Sequence, residues 1–226
     1  MLIHYSKVVQ VCRENNIDIR GIFHVGAHEC EELNDYIKIG VDKNNIVWVE
    51  GNKEISDKMM NMGIPNIINA VVDDESGKTV VFNITNNGQS SSILELGTHK
   101  TQHPHIYVCK TETVVTKSIQ DIAVDHSLDF TKYNFWCFDI QGVELRALKG
   151  AGDLILYADI LYLEVNSEEL YKGCALIGEI DAYVAVYGFK RTVTGMTCHG
   201  WGDAVYIKIH PTGKQLNTMN HMSDQH

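Results

Sequence analysis

Short apolar runs alternate with helix-patterned stretches along most of this chain, and that alternation limits the fold more than any other feature. The runs are residues 22–25, 45–50, 66–72, 135–139 and 160–164. Each is too short for an ordinary helix and rich in Ile, Val, Phe or Trp, which reads as strand. Helical patterning covers residues 4–14, 29–39, 53–62, 143–148 and 177–187, with Leu33, Tyr36 and Ile37 inward in the second of these. Alternation of this kind gives a parallel sheet with helices on both faces. Residues 189–196 and 203–209, joined through His199-Gly200-Trp201-Gly202, read as an antiparallel hairpin. The expected fold class is therefore α/β, a mostly parallel seven-stranded sheet with an antiparallel C-terminal hairpin. A length of 226 residues suits one such domain, expected over residues 1–210 with a polar tail at 211–226.

The stretch that gives this sheet a function is residues 21–32, Gly-Ile-Phe-His-Val-Gly-Ala-His-Glu-Cys-Glu-Glu. A strand that turns through glycine into a helix leaves backbone N–H groups at its C-terminal end, where open α/β sheets bind nucleotide-like ligands. The second strand ends on Glu50, placed to accept two hydrogen bonds from a ribose diol. The same spacing suits a dinucleotide enzyme, but residues 26–31 carry one glycine where that fingerprint has three. Ala27 and His28 would crowd a pyrophosphate, and Glu29 and Glu31 would repel it. A sulfonium cofactor bearing an ammonium tolerates or uses those carboxylates, so S-adenosylmethionine is favoured over NAD.

The formal net charge of −10 argues against a nucleic-acid backbone or an anionic membrane surface as partner, and favours a small or neutral substrate. No apolar run is long enough to span a bilayer, and residues 1–20 lack a signal-peptide pattern. Six scattered cysteines without a Cys-x-x-Cys pair read as thiols of a reducing, cytoplasmic setting. Residues 86–105 form a polar segment too long for a plain connector, between an edge-like strand at 78–85 and another at 113–119. Such segments are usually functional or disordered, and Ile93, Leu94 and Leu96 suggest that this one packs down.

The motifs His24-Val25-Gly26-Ala27-His28-Glu29, Val47-Trp48-Val49-Glu50-Gly51-Asn52 and Asn86-Asn87-Gly88-Gln89-Ser90-Ser91-Ser92 resemble those of FkbM-type methyltransferases. So do Phe138-Asp139-Ile140-Gln141-Gly142-Val143-Glu144-Leu145, Leu163-Glu164-Val165-Asn166 and His199-Gly200-Trp201-Gly202-Asp203-Ala204. Asp-Ile-Gln-Gly-x-Glu is the most specific of them. Cys30 departs from a glycine that members often carry, which puts the local turn in question. The resemblance implies a Rossmann-like class I fold and an S-adenosylmethionine-dependent O-methyltransferase, many relatives acting on sugars of glycans or glycosylated natural products. It also extends to methyltransferase segments within larger glycan-building, glycosyltransferase-containing polypeptides.

The expected cofactor-binding set is Gly26, His28, Glu29, Glu50, Asp73, Ser92, Asp139 and Gln141, with Asp73 near the adenine. The acceptor is expected to be a sugar hydroxyl, of a 6-deoxyhexose such as rhamnose. An alcohol is a weak nucleophile, so its proton must be removed or its oxygen polarised. His199, at a hairpin tip over the crevice, is one expected base. Asp139 and Glu164 end adjacent strands about 5 Å apart. With Asn166 they could hold Mg²⁺, Mn²⁺ or Ca²⁺, which would bind and acidify the hydroxyl; without a metal they would bind cofactor or sugar. The expected reacting centre is Asp139, Glu164 and His199. His99, His103 and His105 suit a substrate-facing loop better than a zinc site. An NAD-dependent sugar-modifying enzyme and a non-catalytic Rossmann-like binding module remain open alternatives.

Overall fold

The structure, a computed structural model, describes residues 2–209, so the expected tail at 211–226 lies outside the described residues. The chain begins with helix α1 (Tyr5–Glu14) and strand β1 (Ile22–Val25), then α2 (Leu33–Lys38), β2 (Ile46–Glu50) and α3 (Lys53–Asn61). Next come β3 (Ile67–Asn69), β4 (Val71–Val72), β5 (Thr79–Thr85), α4 (His99–Gln102), β6 (Val108–Lys117) and α5 (Ile119–Asp125). The remainder is β7 (Phe135–Phe138), α6 (Glu144–Ala151), β8 (Ile160–Asn166), α7 (Ile177–Val186), β9 (Phe189–Met196) and β10 (Trp201–Lys208).

The expected seven-stranded sheet forms in the order β3-β2-β1-β7-β8-β10-β9. The first five are parallel, and β10 runs antiparallel to both β8 and β9. Strand order reverses between β1 and β7, which makes the C-terminal ends of those two strands the switch point where ligands bind. Side chains alternate between two buried layers. Phe23, Val25, Trp136, Phe138, Leu161 and Leu163 pack with α5, α6 and α7. Ile22, Trp48, Cys137 and Tyr162 pack with α1, Tyr36 and Met59. Burial on both faces explains why the central strands read as continuous apolar runs.

Two expectations are corrected. The third strand is not continuous over 66–72. Asn69 Nδ2 donates to the carbonyls of Glu50 (2.8 Å) and Gly51 (3.2 Å), capping β2 and ending its pairing. Val71 and Val72 then pair with Thr116 and Lys117, in a separate three-stranded sheet of order β4-β6-β5. The helix expected over 29–39 starts only at Leu33. His28 and Cys30 have positive φ (43° and 55°), so residues 26–32 wrap as turns before the helix begins. The segment 86–105 packs down as expected. Ser92 bridges to Asn83, Leu96 bridges to Tyr171, and α4 lies within it.

Candidate active site

The site is built on the glycine turn after β1. Gly26 has φ +86°, and a Cβ placed there would lie 1.9 Å from the carbonyl oxygen of Asp139. Only glycine lets the ends of β1 and β7 approach this closely. The Gly26 and Ala27 N–H groups both donate to the Val49 carbonyl (2.8 and 3.1 Å), which pins the turn to β2. Glu50 completes it. Its Oε2 accepts from the His28 N–H (2.7 Å) and its Oε1 from the Asn52 N–H (2.6 Å). Burial pushes the Glu50 carboxyl up, against the opposing pull of those two N–H groups. Each oxygen keeps a second acceptor site for a ligand hydroxyl.

Beside this turn lies a cavity that is partly open to solvent. Val71, Val72, Phe82, Ile93 and Val143 give it an apolar slot, and Glu50 and His28 stand in its wall. A second, larger cavity meets the first at Gly26, His28, Gln89 and Asp139. Its wall is polar, with Glu31, Glu32, Asp139, Glu164, Gln141, Ser90 and Asn87, and it includes His24, His99, His103 and Trp201.

Strand register sets the acids of this wall. Phe138 pairs with Leu163 and Glu164 with Asp203, so Asp139, Glu164 and Asp203 follow one another across β7, β8 and β10. Gln141 Nε2 donates to both Asp139 Oδ1 (2.6 Å) and Glu164 Oε2 (3.0 Å). Tyr171 fixes that amide by donating to Gln141 Oε1 (2.5 Å). Burial raises the pKa of Asp139, and Asp203 raises it further. Burial, then Asp139, raises Glu164 well above the carboxylate range. Asp203 itself is taken by Tyr162 Oη (2.5 Å) and by the Leu2 and Ile3 N–H groups.

The Asp-Ile-Gln-Gly-x-Glu stretch has a physical reason. Gln141 and Gly142 have positive φ (57° and 95°), and Glu144 reaches back to accept from the N–H groups of Ile140 (2.9 Å) and Gly142 (3.2 Å). Burial pushes the Glu144 carboxyl up to about 7. The serine loop is tied to the same turn, since Ser92 Oγ donates to the Gln141 carbonyl (2.9 Å). It is also tied to the first turn. Glu31 accepts from Gln89 Nε2 (3.2 Å) and pairs with His28 Nδ1 (2.8 Å).

Gly26, His28, Glu50, Ser92 and Asp139 therefore line the first cavity, and Gln141 and Glu164 line the second. Three expected residues are placed elsewhere. Glu29 pairs with Lys58 (2.6 Å) at the surface and lines neither cavity, because the positive-φ turn at His28 carries it outward. Asp73 is fully buried in a two-pronged ion pair with Arg146 (Nε 2.6 Å), away from both linings. His199 lines neither cavity; its ring meets that of His103 edge-on at 4.9 Å, and His103 does line the second. The expected cation finds no such arrangement. Among the described residues no three His, Cys, Asp or Glu side chains are grouped to hold a metal. Asp139 and Glu164 are bridged by the Gln141 amide instead, and both amide atoms of buried Asn166 lack a partner. Arg146 and Tyr171 were missed by sequence reasoning, because their partners lie 73 and 30 positions away. Glu144 was legible only as part of the Asp-Ile-Gln-Gly-x-Glu motif; its closing of the turn is seen in the structure.

The residues fit S-adenosylmethionine part by part. The apolar slot suits the adenine, Glu50 the ribose diol, and the acidic turn the cationic sulfonium and ammonium. A seven-stranded sheet of this order, with such a pocket at its switch point, is the architecture expected of a class I S-adenosylmethionine-dependent methyltransferase. The family model for the methyltransferase FkbM domain matches residues 24–191, and the chain belongs to that family. No curated protein matches the chain in sequence. Among solved structures, it is similar to magnesium protoporphyrin IX methyltransferase (ChlM) from Synechocystis PCC 6803 with bound SAM. That likeness has 9% identity and a TM-score of 0.48, covering 91% of this chain and 77% of the other. The ribosomal protein L11 methylase of Lactobacillus delbrueckii subsp. bulgaricus is similar at 9% identity and a TM-score of 0.47, covering 92% and 79%. No helix among the described residues is long and apolar enough to cross a membrane.

Proposed function

We propose that this methyltransferase transfers the methyl group to a hydroxyl oxygen of a sugar, in a glycan or glycoconjugate such as one bearing a 6-deoxyhexose. The observation that carries the reading is the second cavity. It opens onto the cofactor cavity at Gly26 and Asp139, and its wall combines carboxylates, amides, a serine and Trp201. Carboxylates and amides accept and donate to adjacent hydroxyls, and an indole face packs against the C–H face of a sugar ring. A large apolar acceptor would leave this acidic wall unpaired, at a cost.

Bound S-adenosylmethionine supplies an electrophilic methyl group on a cationic sulfur. The chain's part is positioning, which can contribute most of the acceleration of such a displacement. Glu50 holds the ribose, and the turn from Gly26 to His28 holds the cofactor's polar end. Asp139 stands where the cavities meet, and Glu164 beside it binds an acceptor hydroxyl. The Gln141 amide keeps the two carboxyls in register. The test is methyl transfer from labelled cofactor to a panel of oligosaccharides, small phenols, peptides and RNA. Label recovered as a sugar methyl ether supports the proposal. Label recovered only on a nitrogen or on a phenol refutes it.

A further inference from the structure

We infer that His99 is the general base that takes the proton of the acceptor hydroxyl, an inference that rests on the reading of the acceptor as a sugar alcohol. His99 is the first residue of α4 and lines the second cavity but not the first, which puts it on the acceptor side. It is 4% exposed, and its Nδ1 is buried without a hydrogen-bond partner. A buried imidazole nitrogen left unpaired is costly, and with Nδ1 closed off the ring nitrogen that can meet an acceptor hydroxyl is Nε2.

The ring is held in place. The His99 N–H donates to the Leu170 carbonyl (3.3 Å), and the His99 carbonyl accepts from the His103 N–H (2.8 Å). The Tyr171 and His103 rings flank it at 5.5 and 4.9 Å. Most other bases in the wall are committed; the exceptions are Glu32 and His103, and His103 packs among the His99, His105 and His199 rings. His24 Nδ1 bonds Tyr36 Oη (3.0 Å), and His28 and Glu31 bond each other. Asp139 and Glu164 share the Gln141 amide. Glu32 lines the second cavity as well, with its carboxyl pushed up to about 7 by burial, and is the rival base that the experiment below includes.

Burial, with His103 and His105 nearby, pushes the His99 imidazole down to about 4. The ring is therefore neutral and able to accept at neutral pH. A base this weak suffices, because the hydroxyl becomes strongly acidic as its oxygen bonds to carbon. His99 takes the hydroxyl proton while the oxygen bonds the methyl carbon and the carbon–sulfur bond breaks. The electron pair of that bond returns to sulfur, giving S-adenosylhomocysteine. The imidazolium then releases its proton to water.

The experiment compares the wild-type chain with His99→Ala and His99→Gln in transfer to the glycan acceptor. S-adenosylhomocysteine affinity and thermal midpoint are measured alongside. The expected result is a kcat lower by about a hundredfold in both variants, the usual scale for a lost general base. Cofactor affinity should stay unchanged, and added imidazole should restore His99→Ala in proportion to its free-base concentration. If the wild-type chain transfers methyl to no sugar hydroxyl, the acceptor reading falls and this inference with it. If the wild type is active, two results overturn His99 alone. One is a kcat within about threefold of wild type in either variant. The other is a loss that imidazole does not recover in a variant that still binds cofactor, or that appears instead in Glu32→Gln.

Discussion

The close approach of β1 to β7 can be tested by placing a single methyl group between them. In Gly26→Ala the added Cβ meets the Asp139 carbonyl oxygen at 1.9 Å, its carbonyl carbon at 2.7 Å and Ile140 Cγ2 at 2.9 Å. The first two are backbone atoms at a buried strand end, so no side-chain rotation relieves the contact. Gly40 is the matched control, since its φ is +97° and a Cβ there meets nothing within 4 Å. Both variants carry the left-handed backbone cost of about 1–2 kcal/mol. Gly26→Ala adds about 1–3 kcal/mol of overpacking. For a chain of this size, about 2–4 °C per kcal/mol gives a fall of about 2–8 °C for Gly40→Ala and about 4–20 °C for Gly26→Ala. Differential scanning fluorimetry reads the midpoints, and calorimetry with S-adenosylhomocysteine reads the site. The folded Gly26→Ala protein should bind at least about tenfold more weakly, because displacing Asp139 shifts the wall common to both cavities. Equal midpoint losses in the two variants would refute the reasoning. So would an unaltered affinity in Gly26→Ala.

Other consequences are as specific. Glu50→Ala removes the acceptor for two N–H groups and, in the proposed reading, for the ribose, and should raise the S-adenosylhomocysteine dissociation constant by about tenfold or more in calorimetry. Arg146→Ala leaves the fully buried Asp73 carboxylate without its guanidinium, and urea unfolding should show a loss of about 3–5 kcal/mol. S-adenosylhomocysteine affinity, measured below the unfolding transition, should be retained there, since Asp73 lines neither cavity. The hydrogen bond to Glu31 raises the pKa of His28, so His28 binds its proton more tightly folded than unfolded. Its stabilising contribution is complete below the ordinary histidine pKa of about 6.5 and fades as pH rises through the raised folded value. Histidine NMR should show His28 titrating above that ordinary value, and Glu31→Gln should bring it down.

The sheet was legible because burial on both faces turns each central strand into an unbroken apolar run, with a glycine or an acid marking where the run meets solvent. Gly26, Glu50, Asp139 and Glu164 could be found in that way, each at a strand end. The small sheet was only half visible, as β4 has two residues and its pairing depends on Asn69 capping β2. Where a side chain goes after a turn was not legible. Glu29 and Glu31 are two positions apart, yet the positive φ at His28 and Cys30 sends one to Lys58 and the other into the cavity wall. Asp73 looked like a ligand-facing acid only because nothing near it in sequence announces Arg146. His99 and His199 are both loop histidines in the sequence, and only the docking of α4 onto Leu170 separates them.

The central claim is that the two joined cavities carry a methyl group from S-adenosylmethionine to a sugar oxygen. The most direct measurement is mass spectrometry of oligosaccharides incubated with the purified chain and cofactor carrying an isotopically labelled methyl group. The account predicts one labelled methyl ether on a sugar residue, and its loss in Glu50→Ala. Turnover of the cofactor with no label on any sugar, or a sugar methyl ether formed equally well by Glu50→Ala, would contradict it.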